Sequence, residues 1–315
     1  MRRKYCDCTQ EYYAASPVLP IKTFIQQVFS CESIRHALLL RLSSSANKHT
    51  ETIHHKHKMT IAFQEQTDDK SHQSVMSVRI SIQWPPAEAN EETTTMVLTT
   101  PGAHYVDLRP LKNSLSVFPY QWNWAMAGEE VVIAENEIEF SHEFFNSMSI
   151  IKMQENKLKD IDEKVEMGGR DIGKFQSLES GDRREDGVMV NPDTGLEQPY
   201  IEIWRSLNPN TSTPASQVAL EGTTSTVSIC LDVTTDRFVG RYIRIGSWGQ
   251  GVLWDKEDST NWAPISTVRS FYNGSIWESV LATGNNATDF PVDFDGSEGD
   301  VLKVGDVEWR CVELV

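Results

Sequence analysis

Apolar and polar residues alternate along many short segments from Met76 onward, with the two-residue period of β-strands that bury one face. Clear examples are Val78–Trp84, Val227–Val233 and Val307–Cys311. Turn residues separate such segments every 8–12 residues or so, which is typical of an all-β sandwich or barrel. One segment departs from this pattern, because Ile150–Val165 is rich in Lys and Glu and predicts either a short helix or a charged excursion.

The bulkiest alternating segment is Tyr120–Met126, where Tyr120, Trp122, Trp124 and Met126 occupy every second position. A face this large and apolar needs an opposing wall, so we expect it to line the inside of a closed or nearly closed sheet.

Two hypotheses explain these aromatic residues. Together with Trp204 and Trp309 they could form the floor of a cavity for a small apolar ligand. Arg109 or Arg205 would then bind the carboxylate or carbonyl of that ligand. They could equally form a packed core with one Trp on each strand, which the residue pattern favours. The candidate ligand-binding residues are therefore Tyr120, Trp122, Trp124, Trp204 and Arg109.

Charge divides the chain unevenly. Residues 1–75 carry ten Lys and Arg against seven Asp and Glu, whereas the whole chain has a net charge of −16. The acidic remainder argues against a nucleic-acid-binding surface, which needs clustered basic residues. The longest apolar run near the start, Ala37–Leu40, is far too short for a membrane span.

Residues 1–75 hold six of the eight His and three of the five Cys but none of the nine Trp. We expect a disordered extension, or a segment upstream of a start at Met76. Cys6, Cys8 and the His cluster at 54–57 are the right residue types for zinc, but their spacing is not that of a zinc finger. We predict no metal site and no cofactor.

Catalytic motifs are not apparent after residue 75. Only two His occur there, His104 and His142, and neither has the setting of a catalytic triad. The acidic run Asp289–Asp300 lacks the register of a calcium loop, and Gly246–Gly251 has no Lys to bind phosphate. We therefore expect no enzymatic activity.

Two related β units are suggested by a weak internal repeat. Gly181–Gly187 followed by Trp204-Arg205 is echoed by Gly299–Gly305 followed by Trp309-Arg310. The polar, Pro-containing segment around 209–221 predicts a linker between the units. The predicted organisation is thus an extension (1–75), an N-terminal domain (76–208), the linker (209–221) and a C-terminal domain (222–315).

Several segments, in order along the chain, resemble the fungal Hri proteins, which are named for interaction with a yeast casein kinase I. They are Tyr105–Pro110 (YVDLRP), Phe118–Gly128 (FPYQWNWAMAG), Tyr200–Arg205 (YIEIWR), Arg244–Leu253 (RIGSWGQGVL) and Val307–Glu313 (VEWRCVE). The resemblance covers residues 76–315.

The resemblance implies two tandem lipocalin-like β-barrels in a cytoplasmic, and also nuclear, protein without known catalysis. It implies a casein kinase I-type protein kinase, of which the chain would be a partner or a substrate. The Ser- and Thr-rich segment Thr211–Ser216, near the acidic Glu221, supplies candidate phosphorylation positions. The resemblance supplies no catalytic or ligand residues. Self-association is left open, and binding of a small apolar ligand inside a barrel is the alternative function.

Overall fold

A computed structural model describes residues 73–112, 122–191, 194, 196–258 and 264–315. The predicted extension therefore lies outside the described residues, except for 73–75. The fold is nearly all-β, with sixteen strands and one helix among the described residues. No helix in these ranges is long and apolar enough to cross a membrane.

Nine strands come from the first part of the chain and seven from the second. They are β1 Val75–Gln83, β2 Met96–Thr99, β3 His104–Pro110, β4 Trp122–Ala134, β5 Glu137–Ser141, β6 Phe145–Asn146, β7 Arg170–Ser177, β8 Arg183–Val190, β9 Glu197–Ser206, β10 Ser228–Thr234, β11 Phe238–Ile245, β12 Trp248–Asp255, β13 Ile265–Tyr272, β14 Trp277–Thr283, β15 Val301–Val304 and β16 Val307–Leu314.

The first sheet closes into a barrel. Its strands follow the order β3-β2-β1-β9-β8-β7-β5-β4, and an additional pairing between β3 and β4 joins the two ends, with β6 attached to β4. In the register of that closing pair Tyr105 lies opposite Gly128 and Leu108 opposite Ala125. The eight-stranded closure confirms the expected barrel for this part of the chain.

The second sheet stays open. Its order is β14-β13-β12-β11-β10-β16-β15, and β14 and β15 form its two edges. It is a half-barrel, and among the described residues no pairing joins β14 to β15. A closed barrel followed by a half-barrel confirms the predicted all-β fold class. The predicted repeat falls on the β8–β9 and β15–β16 hairpins of the two sheets.

The helix α1, Ser147–Leu158, occupies the Lys/Glu-rich segment. It begins after Asn146, whose side-chain oxygen accepts a hydrogen bond from the backbone N–H of Met148 at 3.0 Å. Asn is a favoured N-cap residue because this bond satisfies one of the free amides of the first turn.

Both sheets lie in one compact unit and share a hydrophobic core. The outward-facing residues of the closed barrel that enter this core include Val106 and Leu108 of β3. The second sheet contributes residues of β10–β13, namely Cys230, Ile243, Ile245, Trp248, Val252 and Ile265. A separate core, built around Tyr242, Phe290 and Trp309, fills the other face of the half-barrel.

Buried polar side chains also cross between the sheets. Arg241 binds Asp232 of its own sheet through two 2.8 Å hydrogen bonds and donates to the carbonyl of Gly128 in the barrel at 2.6 Å. Gln250 donates to the carbonyls of Met96 and Val106. These bonds fix the orientation of one sheet on the other, because each buried donor needs its particular acceptor.

Arg269 has a different environment from Arg241. Its guanidinium donates to the carbonyls of Thr94 and Leu108 and to the Gln250 side chain, and no carboxylate of the described residues is among its acceptors. Burial therefore lowers the pKa of Arg269 to about 10, although the charge of Asp107 acts in the opposite direction.

The predicted linker contacts the half-barrel. The indole of Trp248 donates to the carbonyl of Ser212 at 3.1 Å, and the backbone N–H of Ser247 donates to the carbonyl of Pro209 at 3.2 Å. The predicted domain boundaries stay predictions.

Candidate functional site

The candidate site is the inside of the closed barrel. Many of the side chains that line it are charged or polar, whereas the core of an ordinary barrel is apolar. Along β3 the aliphatic Val106 and Leu108 pack into the shared core outside, whereas Tyr105, Asp107 and Arg109 line an internal cavity of about 50 Å³. Such a volume holds only a few water molecules. The remaining lining residues are Val97, Met126, Phe140, His142, Asp171, Glu185, Met189, Tyr200, Glu202 and Trp204.

Two arginines flank one buried carboxylate in this interior. Arg79 Nη1 donates to Glu202 Oε1 at 2.6 Å, and Arg109 Nη1 lies 3.7 Å from the same oxygen. Arg79 also pairs with Glu91, and Arg109 with Asp107 at 2.8 Å. The two arginines and three carboxylates form one network whose members lie on β1, β3, β9 and the loop after β1, so it ties these segments together.

A second carboxyl group lies beside this network. Glu185 of β8 accepts a hydrogen bond from the Tyr200 hydroxyl and another from the Trp204 indole, each at 2.8 Å. Burial, reinforced by the negative charge of Glu202, raises the pKa of Glu185 to about 8. Burial likewise raises the pKa of Tyr200, so its hydroxyl stays protonated. Gly187 makes room for this pair, because a Cβ there would meet the Tyr200 ring.

His142 forms the opposite wall. Its Nε2 lies 3.5 Å from Asp171 Oδ2, and its ring meets Trp124 edge-on at a centroid distance of 5.8 Å. Burial lowers the pKa of His142, although Asp171 opposes the shift. The guanidinium of Arg109 lies over the Trp124 ring, 5.2 Å from the ring centroid.

Chemically, the interior is a set of charges that largely neutralise one another. Buried side-chain atoms of the described barrel strands that have no hydrogen-bond partner include Asp107 Oδ1, Ser77 Oγ and Arg183 Nε. The described residues contain no group of three or more His, Cys, Asp and Glu side chains arranged to hold a metal ion. Cys230 and Cys311 are buried away from this cavity, and burial raises the pKa of both thiols.

The structure brings together three of the five sequence-predicted site residues. Arg109 and Trp204 line the cavity, and Trp124 packs against Arg109. Trp122 instead enters the shared core on the outside of the barrel. Tyr120 lies outside the described residues.

A β-bulge explains the position of Trp122. Arg109 pairs with Trp124 and Pro110 pairs with Trp122, so Asn123 is an extra residue without a partner on β3. An extra residue shifts the alternation by one, and side chains before the bulge face the opposite side of the sheet. The predicted common face of Trp122, Trp124 and Met126 therefore breaks at Asn123.

The two further candidates lie elsewhere. Trp309 belongs to the core of the half-barrel, where its indole donates to the carbonyl of Asp289 at 2.7 Å. Arg205 points away from the cavity and makes a two-bond ion pair with Asp182.

The acidic members of the site, above all Glu185 and Glu202, are not among the residues predicted from the sequence. The available signal was in β9, where Tyr200, Glu202 and Trp204 share one face while Ile201 and Ile203 share the other. A face that mixes aromatic and charged residues, opposite a purely aliphatic face, indicates a polar interior.

Comparison with known proteins gives the family. The family model described as Protein HRI1 matches residues 75–313. The chain belongs to the HRI1 family. Members of the HRI1 family similar to this chain include Protein HRI1 of Kluyveromyces lactis, 26% identical over 257 residues that cover 76% of this chain and 98% of the relative. Protein HRI1 of Candida glabrata is 25% identical over 71% of this chain and 93% of its own length.

A solved structure shares the fold. The crystal structure of the uncharacterized protein YLR301w from Saccharomyces cerevisiae superposes with a TM-score of 0.63, covering 78% of this chain and all of the other. At 20% identity this similarity concerns the fold alone. Protein HRI1 of the same yeast is 22% identical to this chain over 237 residues.

Proposed function

We propose that this member of the HRI1 family is a non-enzymatic protein that acts by binding other proteins through its surface. The observation that carries the proposal is the filled interior of the closed barrel. Its charged side chains pair with one another and leave about 50 Å³. A drug-sized ligand needs a pocket of roughly 300 Å³ or more, so an apolar ligand would have to displace buried ion pairs, at high cost in free energy.

A casein kinase I-type protein kinase is the proposed partner, with cytoplasmic and nuclear location as part of the same proposal. The family resemblance implies this partner, and the acidic chain, with its net charge of −16, supports association with a protein that presents a basic surface.

The test is a calorimetric titration of the chain with a casein kinase I catalytic domain at low and at high salt. We expect saturable binding that weakens as salt screens the charges. A polyglutamate peptide serves as the control, since it reproduces the charge without the fold and should not compete at equal concentration. Absence of binding at low salt would remove the kinase assignment.

A substrate relationship gives a sharper expectation. Within Thr211–Ser216 the structure exposes Thr211 and Ser216, whereas Ser212 is buried and its hydroxyl donates to the carbonyl of Val218 at 3.1 Å. We expect the kinase to phosphorylate Thr211 or Ser216 in the folded chain but not Ser212. Mass spectrometry of the treated protein reads this out, and phosphate on Ser212 would contradict it.

The alternative, binding of a small apolar ligand inside the barrel, has a direct test of its own. Native mass spectrometry of the purified protein should show the mass of the chain alone. A retained apolar molecule that protects Trp204 fluorescence from quenching would replace the proposal with the alternative.

A further inference from the structure

The half-barrel leaves the edge of β14 unpaired. Among the described residues, β14 pairs with β13 on one side and with no strand on the other. The residues of β14 are exposed or half-buried throughout. An unpaired edge presents backbone N–H and C=O groups that can pair with another extended segment.

The hydrogen-bond phase shows which groups of β14 point outward. Tyr272 donates its N–H to the carbonyl of Ser247, and Asp255 donates to the carbonyl of Pro264, so even-numbered residues of β13 bond to β12. Val268 therefore bonds to β12, and its partner on β14, Ala282, turns its N–H and C=O away from β13. By the same alternation Trp277, opposite Tyr272, also points its backbone groups outward.

The strand at the opposite edge of the half-barrel, β15, has features that protect it from pairing with an added strand, and β14 lacks them. β15 has only four residues, and its exposed Lys303 discourages pairing with another strand. β14 has seven residues and contains neither Lys nor Pro. Val280 within it is 43% exposed, and Ile276 just before it is 62% exposed, so the edge also offers apolar side chains to an added strand.

The surroundings of β14 are acidic. Glu278 lies exposed in the strand, and Asp293 and Asp295 lie near Arg244, whose guanidinium is 5.6 Å from the Trp277 ring centroid. Residues 264–315 include nine acidic residues and only three basic ones. A basic segment complements this charge, whereas a second copy of the chain would bring two acidic edges together.

We propose that the free edge of β14 binds an extended peptide segment of a partner protein by strand addition, and that this segment carries Lys or Arg at alternate positions. Backbone hydrogen bonds to Trp277 and Ala282 would supply affinity, and the neighbouring carboxylates would supply the preference for basic side chains. The inference rests on the proposed function only in that both assign protein binding to this chain.

The test uses fluorescence anisotropy with a labelled, end-blocked heptapeptide that alternates Lys and Val. We expect saturable binding, and binding weaker by about tenfold or more for the matching Glu/Val peptide. Ala282→Pro removes an outward N–H without touching the β13 pairing and should weaken binding by about tenfold as well. Lys303→Pro is the matched control, since it removes an outward N–H from the other edge, and it should leave binding unchanged.

Hydrogen exchange followed by NMR locates the contact. Bound peptide should slow exchange at the amides of Trp277 and Ala282 in the intact chain. Equal affinity of the Ala282→Pro variant for the peptide, or protection confined to other residues, would overturn the proposal. So would concentration-dependent protection of the same amides in the chain alone, because β14 would then pair with a second copy. If Ala282→Pro does not fold, the test uses the unaltered chain and a Lys/Val peptide that is methylated on alternate backbone amides. We expect this peptide not to bind, and binding would overturn the proposal.

The kinase titration separates this inference from the proposed function. If the kinase binds the unaltered chain and Ala282→Pro equally, the kinase interaction stands and the β14 edge is not its site. If the Lys/Val peptide binds β14 but the kinase does not bind at all, the edge stands and the kinase assignment falls.

Discussion

Arg109 shows how much one buried side chain holds together. It pairs with Asp107 and Glu202 and covers the Trp124 ring, with its side chain 11% exposed. Removing one member of such a network leaves charges without compensation in a medium of low polarity, which costs more than the pair itself contributes.

We expect Arg109→Met to lower the free energy of unfolding by about 3–5 kcal/mol, because Asp107 and Glu202 would lose a buried partner. Arg170→Met is the control, since Arg170 is exposed and its pairs with Glu139 and Glu143 lie in solvent; its loss should cost about 1 kcal/mol or less. Urea unfolding of both variants measures the difference. Similar values for the two would show that the interior network contributes no more than surface pairs.

Glu185 predicts a pH dependence of stability. The pKa of Glu185 is about 8 in the folded state, whereas its ordinary value is 4.5. As the pH rises, the unfolded chain therefore loses this proton at a lower pH than the folded chain does. The contribution of Glu185 to stability is therefore lost as pH rises from about 4.5 to about 8, by up to about 1.4 kcal/mol per pH unit.

Glu185→Gln cannot titrate and keeps an acceptor for Trp204. Its stability, compared with that of the unaltered chain by urea unfolding, should improve steadily between about pH 5 and about pH 8. A constant difference over that range would mean that Glu185 is already ionised in the fold.

Among the secondary-structure elements, β4 and α1 are joined by Asn146. Its side-chain oxygen caps α1 and also accepts a hydrogen bond from the Trp124 indole at 3.1 Å. Asn146 thus fixes both the start of the helix and the orientation of the Trp124 side chain. Trp124 directly follows the bulge at Asn123, which turns Trp122 outward.

We expect Asn146→Ala to destabilise the chain by about 1–2 kcal/mol, since both the helix cap and the indole lose their acceptor. Asn146→Ser keeps a capping oxygen and should recover about half of this loss or more. Thermal unfolding of the two variants reads out the effect. Equal losses would show that the indole bond, rather than the cap, carries the contribution.

In the whole molecule, the shared core makes the two sheets depend on each other. The half-barrel turns Cys230, Ile243 and Val252 toward the closed barrel, and Arg241 reaches the carbonyl of Gly128. Separating the sheets would expose this apolar face and leave buried donors unpaired.

We therefore expect one cooperative unfolding transition for the full chain. A fragment of residues 222–315 should not fold by itself, although the sequence marks it as a separate unit. Calorimetry of the chain and the amide NMR spectrum of the fragment test this. Two separate transitions, or a dispersed spectrum of the fragment, would show that the half-barrel is autonomous.

The sequence by itself determined the all-β class, most strand positions after residue 75, and the family, because alternation and turn residues are local signals. It missed β7, Arg170–Ser177, whose mixed composition lacks a clean alternation. Of the residues named from the sequence, Arg109 and Trp204 line the cavity and Trp124 packs against Arg109.

Only the tertiary structure decided which face of each strand is inside. A single extra residue at Asn123 reversed the side on which Trp122 lies, and nothing local in the segment reveals such a bulge. Closure of one sheet and not the other likewise depends on pairing between strands far apart in the sequence, such as β1 with β9. The free edge of β14 follows from the strand order of the second sheet, which alternation alone could not show.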